Sequence, residues 1–331
     1  TLTPYDLFEL NGRLIALGDR QSRSRPTDMF ELVSLGGGSW SSTLPVGTTG
    51  NRIPNVVDVR NVGSPPETSD SLGLARIGAI NGLVCVAVSY ATTSPGEDTY
   101  VSIFRASDGA NVTTATLPIS NPRVVVAAGS FWIIGVNAAS DLVGHRFDTD
   151  TDSAVGVAVT LYTGTVTSNV FDAVSVKSLE QFCVAFRDTA TTTIRRFNEA
   201  GTQQQTFAGP AVAADVLCVE ADSAANRIVV AYRVGAADAF VQSYNLSTAA
   251  TVAGPTAMFS QTVERDLYLQ RSTPGSLGMV LVTEDTSGSS PIVRGSYFSE
   301  DVLTSTLVVR THYYLAGRGI PTAGTVVWPM I

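Results

Sequence analysis

Apolar residues in this chain alternate with small or polar ones over short runs that give way to Gly, Asn, Asp and Ser, the pattern of half-buried strands joined by tight turns. The most apolar runs are RLIAL from Arg13, LVCVAVSY from Leu83, FWIIGV from Phe131, FCVAF from Phe182, RIVVAY from Arg227 and LGMVLV from Leu277. Each follows another β-rich run: DLFEL from Asp6, LARIGAI from Leu74, RVVVAAG from Arg123, AVSVKS from Ala173, VLCVEAD from Val216 and DLYLQR from Asp266. Each is in turn followed by an aromatic at the edge of a polar turn, namely Phe30, Phe104, Phe147, Phe197, Tyr244 and Tyr297. A further strand-like run closes the unit, as in AVGVAVTL and TSTLVVR.

Four short strands in a meander, recurring every ~45 to 50 residues, predict an all-β chain folded as a β-propeller with six blades of four antiparallel strands. A lone four-stranded meander leaves both faces wet, whereas stacked blades bury them on one another. Runs such as RVVVAAG and RIVVAY, apolar at successive positions, suit strands covered on both sides. The expected propeller spans 1–318, with blades at 6–50, 73–118, 123–165, 173–210, 215–258 and 265–310. The Pro, Asn and Ser-rich stretch 51–72 reads as an insertion, and 319–331 as a closing strand or an exit linker. A pair of β-sandwiches would not explain one register running from Phe30 to Tyr297.

Composition narrows the function. Of 331 residues, 44% are apolar, enough for a packed core, and only 15% are charged, with a net charge of -8. That balance lacks the basic stripe of a sequence-reading nucleic-acid binder. Cys85, Cys183 and Cys218 lie far apart in apolar runs without CxxC spacing, so they read as small buried hydrophobes rather than as disulfides or zinc ligands. No apolar run reaches the ~18 residues of a membrane-spanning helix, and TLTPYDLFEL lacks the basic and apolar parts of a signal peptide. The expectation is a chain without a membrane span; whether it is whole or a segment is open.

Candidate chemistry is sparse. In HRFDTDTDSAVG, Asp148, Asp150 and Asp152 alternate as in a calcium loop, but the sixth and twelfth positions hold Ser153 and Val159 where Gly and Glu are needed. The same position in other repeats is a polar turn, so the aspartates are expected to make one too. His145 and His312 are the two histidines; neither accompanies a G-x-S-x-G serine, and together they cannot form an ordinary catalytic zinc site. NRIP at Asn51 is similar to the arginine motif of sialidases, which would make Arg52 a carboxylate binder, yet the sialidase S-x-D-x-G-x-T-W turn is absent. Glu220, Asp222, Glu264, Asp266, Glu284 and Asp285 would serve a glycosidase only if folding brought two of them to a spacing of ~5 to 9 Å. Trp40, Tyr90, Tyr100 and the HYYL run from His312 are candidate sugar-stacking aromatics, or blade-interface plugs. RQSRSRP from Arg20 is the basic cluster and reads as a solvated hairpin tip. No catalytic, cofactor-binding or metal-binding residue is expected, and the chain is not expected to be an enzyme.

The opening YDLFELNGRLIALGDRQSRSRPTDMFELV, with its NGRLIAL and MFELV strands, resembles the propeller blades of tail nozzle proteins of short-tailed bacteriophages, also called tail tubular protein B. GSFWIIGVNAASDLVGHRFDTDTDSAV is similar in texture: rich in Ser, Thr and Ala, and low in charge. The resemblance implies a structural virion protein of the phage tail. Its partners would be copies of itself in a ring, commonly six, and adaptor, fibre or spike proteins. DNA would pass during genome ejection without sequence-specific binding. A mildly acidic wall suits that passage, because it does not hold phosphates. Two other classes stay open: a glycan-binding propeller acting in host-surface recognition, and a sialidase-like glycosidase.

Overall fold

The computed structural model describes residues 2–10, 13–20, 28–36, 39–45, 72–91, 97–105, 111–149, 157–235, 239–257, 264–273, 278–285, 292–301 and 306–316. They form six sheets, each of four antiparallel strands hydrogen-bonded in chain order. The first holds β1 (Leu2–Leu10), β2 (Arg13–Arg20), β3 (Asp28–Gly36) and β4 (Ser39–Pro45). The second holds β5 (Leu72–Ile80), β6 (Leu83–Ala91), β7 (Glu97–Arg105) and β8 (Asn111–Leu117), and the third β9 (Ser120–Ala127), β10 (Ser130–Val136), β11 (Leu142–Asp148) and β12 (Val157–Tyr162). These three sheets belong to one compact unit, whose described residues run to Gly164.

A second compact unit begins at Thr165. Its sheets are β13 (Val166–Val176), β14 (Gln181–Asp188), β15 (Thr191–Phe197) and β16 (Gln203–Phe207); β17 (Val216–Asp222), β18 (Arg227–Arg233), β19 (Phe240–Asn245) and β20 (Thr251–Ala257); and β21 (Glu264–Thr273), β22 (Gly278–Asp285), β23 (Ile292–Asp301) and β24 (Thr306–Ala316). The expected count of six four-stranded sheets is met. The stretch 51–71 of the expected insertion and the segment 319–331 lie outside the described residues.

Local sequence explains the hairpins. Ile80 pairs with Leu83 across Asn81 and Gly82, whose φ values of 52° and 73° match the right-handed strand twist as a type I′ turn requires. Ala128 and Gly129, at 45° and 75°, repeat that turn between Ala127 and Ser130. Every residue of β10 is buried, as are Phe182–Phe186 of β14 and Ile228–Tyr232 of β18. Burial on both faces is the reason these second strands read as continuous apolar runs rather than as alternating ones.

The recurring aromatics all fall on third strands and pair in register with the second strand. Phe30 opposes Ala16, Phe104 opposes Val84, Phe147 opposes Phe131, Phe197 opposes Phe182, Tyr244 opposes Ile228 and Tyr297 opposes Val280. In the first unit, Cys85, Ile103 and Leu117 share a core with Phe131, Ile133 and Phe147 of the next sheet. Gly78 permits this approach, since a Cβ there would stand 2.7 Å from the Val124 side chain. In the second unit, Cys183, Ile194 and Phe207 pack with Leu217, Ile228 and Tyr244, and Phe207 meets Tyr244 edge-on at 6.1 Å. Val229 and Val241 continue the core to Leu267 and Leu269 of the last sheet.

Polar latches reinforce the apolar contacts. Thr99 Oγ1 donates to the Ile119 carbonyl at 2.7 Å, and Thr192 Oγ1 to the Val212 carbonyl at 3.0 Å. Asp141 Oδ1 accepts from the Gly164 N–H at 3.1 Å. Each ties the start of a third strand to the segment leaving the sheet, five or six residues ahead of the repeat aromatic. Between sheets, Asp172 Oδ2 accepts from the Val219 N–H at 3.0 Å and so fixes β13 against β17.

Candidate functional site

In the second unit, turns of two adjacent sheets meet in a hydrogen-bonded rim. Asn245 directly follows Tyr244, and its Oδ1 accepts from the N–H groups of Ser247 and Thr248 at 3.0 and 2.9 Å. Asn198 directly follows Phe197 and does the same for Ala200 and Thr202 at 3.1 and 2.8 Å. Asp222 Oδ1 holds the N–H groups of Ala224 and Ala225 at 3.0 and 3.1 Å. A short side-chain oxygen reaching two backbone donors ahead is what lets Asn and Asp close a turn without outside help.

These turns are also tied to one another. Asn226 donates to Asn245 Oδ1 at 3.3 Å, and Ser247 Oγ donates to Asn226 Oδ1 at 2.8 Å. From the neighbouring sheet, Arg196 Nη1 donates to the Leu246 carbonyl at 2.7 Å and Gln205 Nε2 to the Ser247 carbonyl at 3.3 Å. The outcome is a rim of amides and hydroxyls with the Arg196 guanidinium and the buried Asp222 carboxylate, and Gln204, Ser247 and Thr248 are exposed there.

Asp148 occupies in the third sheet the place of Asn198 and Asn245, directly after the repeat aromatic. It lies 3.9 Å from Arg146 with both side chains about one-third exposed, a surface pair of small energetic weight. Next to it, Thr149 Oγ1 donates to the Gly129 carbonyl and accepts from Asn81 Nδ2, so the strand end is anchored on two first-hairpin turns. The turn role expected at this position is met at Asn198 and Asn245; Asp150 and Asp152 lie outside the described residues. Among the described residues, no group of three or more His, Cys, Asp and Glu stands close enough to hold a metal ion.

The remaining candidates disperse. His145 is buried in β11, opposite Ile133 and Ala158, and His312 lies on β24 opposite Ser296. Cys85, Cys183 and Cys218 are free and buried. Burial pushes the Cys85 and Cys183 thiols well above the usual thiol range, Arg196 pulling slightly the other way at Cys183, so neither is poised as a nucleophile. Tyr100 is buried, Trp40 stands opposite Ser34 on β4 and β3, and Tyr90 opposes Asp98. Of the carboxylates, Glu264 and Asp285 are cross-strand partners, whereas Glu220 and Asp222 sit two apart on β17. Arg52 and residues 21–27 of the basic cluster lie outside the described residues. The latch residues Thr99, Asp141 and Thr192 are missed by apolar periodicity; the signal that marks them is a polar residue five or six positions before Phe104, Phe147 and Phe197.

Solved structures decide the fold. The Dos1 propeller is similar over 94% of this chain and 69% of its own, with a TM-score of 0.52 and 12% identity. The chain has the β-propeller fold. The Aleuria aurantia lectin in complex with α-methyl-L-fucoside is similar to this propeller over 98% and 100% of the two chains, with a TM-score of 0.50 and 10% identity. A prolyl endopeptidase matches 97% of the propeller at a TM-score of 0.50 and 8% identity, and the propeller spans 51% of that enzyme. At these identities the likeness is one of fold. No protein-family model and no curated protein matches the sequence.

Proposed function

We propose that the chain is a structural protein of a bacteriophage tail, nozzle-like, located in the virion, assembling with copies of itself and with neighbouring tail proteins along the path of the exiting genome. The observation that carries this reading is the hairpin pattern that recurs along the chain. In sequence, NGRLIAL of the opening stretch has counterparts in NGLVCVAV and AGSFWIIGV, whose turns at Asn81–Gly82 and Ala128–Gly129 are type I′ and lead into the buried residues Leu83–Ala87 and Ser130–Val136. One blade pattern thus recurs with changing sequence, as expected of a scaffold whose task is shape.

The chemistry of the described rim agrees with that task. The exposed amide and hydroxyl side chains of Gln204, Ser247 and Thr248 suit recognition, and the net charge of -8 keeps DNA phosphates from adhering. The likeness to a lectin and to a peptidase reaches the fold and not a set of residues, so neither activity is carried over. Mass spectrometry of purified phage particles tests the reading: the chain is expected at a fixed copy number among the tail proteins, and its absence from particles would refute it.

A further inference from the structure

Asn81 and Gly82 close the first hairpin of the second sheet, and both are exposed. Among the described residues Asn81 is the one asparagine followed by glycine; every other precedes a residue with a side chain. That difference is chemical. A glycine nitrogen, with no Cβ beside it, can approach the side-chain carbonyl of the residue before it and close a five-membered ring. A Cβ built on Gly82 would have nothing within 4 Å, so the space around that nitrogen is open.

The folded turn holds the reaction back. Asn81 has a φ of 52°, in the left-handed region, where ψ is also positive and the next amide nitrogen lies opposite Cβ across the Cα–C bond. Ring closure needs the two on the same side. The leaving group is held as well, because Asn81 Nδ2 donates to Thr149 Oγ1 at 3.3 Å.

We infer that Asn81 is a deamidation site gated by its own hairpin. When the turn opens, the Gly82 nitrogen attacks Asn81 Cγ: the N–Cγ bond forms, the Cγ–Nδ2 bond breaks, and Nδ2 leaves as ammonia with the proton of the Gly82 amide. Water then opens the resulting succinimide at either carbonyl, which gives aspartate or isoaspartate. Neither product restores the contact to Thr149. The one hydroxyl proton of Thr149 is directed at the Gly129 carbonyl, so a carboxylate in place of the amide meets an acceptor. Isoaspartate also adds a carbon to the main chain of a two-residue turn in which Ile80 directly faces Leu83. A transient opening thereby becomes a lasting release of the hairpin from the end of β11. The site does not depend on the tail reading.

Peptide mapping with isoaspartate detection, on the full chain at mildly alkaline pH, tests the inference. In urea, Asn81 is expected to convert at the rate of a free Asn-Gly peptide. In the native protein it is expected to convert at least about tenfold more slowly, since the reaction waits on local opening. Thr149→Val removes the acceptor and is expected to raise the native rate about three- to tenfold, the weight of one ordinary hydrogen bond, without changing the rate in urea. Thr149→Ser keeps the acceptor and is expected to match the wild type; circular dichroism checks that both variants fold. Asn81→Asp reproduces one product and is expected to lower the urea midpoint. Equal rates in the native and unfolded wild type, no product at Asn81 in urea, a Thr149→Val protein no faster than Thr149→Ser, or an undiminished midpoint for Asn81→Asp would each overturn the inference.

Discussion

Phe182 and Phe197 are direct cross-strand partners whose rings stack at 5.3 Å with 20° between their planes. Phe182 opens the apolar run of its second strand, and Phe197 is the recurring third-strand aromatic, so the two halves of the sequence repeat meet in one contact. Both are fully buried. Phe197→Ala is expected to lower the unfolding free energy by about 3–5 kcal/mol, and Phe197→Leu by clearly less. Urea denaturation checks both; a cost for Phe197→Ala of the size usual for a surface change would contradict the role assigned to the repeat.

Tyr244 holds the same position one sheet later, with its hydroxyl buried and without a hydrogen-bond partner among the described residues. Four of the other five sheets place Phe there. Tyr244→Phe removes a desolvated hydroxyl while keeping the ring against Phe207, so the protein is expected to be more stable by about 1 kcal/mol. Loss of stability in the same denaturation assay would reveal a partner for that hydroxyl.

Asn245 closes its turn with two side-chain-to-backbone hydrogen bonds and receives a third from Asn226. Asn245→Ala is expected to cost about 1–2 kcal/mol, and Asn245→Asp, which keeps the accepting oxygen, less than half of that. Hydrogen exchange at Ser247 and Thr248 should rise in the alanine variant alone.

Alkaline pH should weaken the fold. Burial raises the folded-state pKa of Cys85, Cys183 and Tyr244, the last helped by Tyr232, from ordinary values of 9.0 for the thiols and 10.0 for the tyrosine. A raised folded pKa means that the native state holds its proton more firmly than the unfolded chain does. The stabilisation is therefore complete below the unfolded value and is lost as pH climbs above it. Denaturation midpoints are expected to be level near neutrality and to fall from about pH 9 upward. Native Cys85 and Cys183 are expected to resist a thiol reagent at pH 8 and to react on unfolding; rapid labelling of the native protein would contradict their burial.

Much of the architecture was legible because it depends on local chemistry. The aromatic register, the double-sided burial of second strands and the Asn-Gly turn all act within one sheet, where sequence spacing is spatial spacing. Strand limits were less so. β13 begins at Val166, ahead of the apolar run at Ala173, since Val166 pairs with Asp188 and the register shift between Val166 and Phe171 interrupts the apolar periodicity. The rim was half legible. Asn198 and Asn245 announced themselves by following an aromatic, whereas Arg196 reaching Leu246 depends on how two sheets pack, which no spacing encodes.

Cryo-electron microscopy of the phage tail tests the central claim most directly. Density is expected at the DNA-exit end into which the described four-stranded sheets fit, with the side chains of Trp132, Phe147 and Phe197 in place. A tail reconstructed at side-chain resolution in which no subunit accommodates this sequence would contradict it.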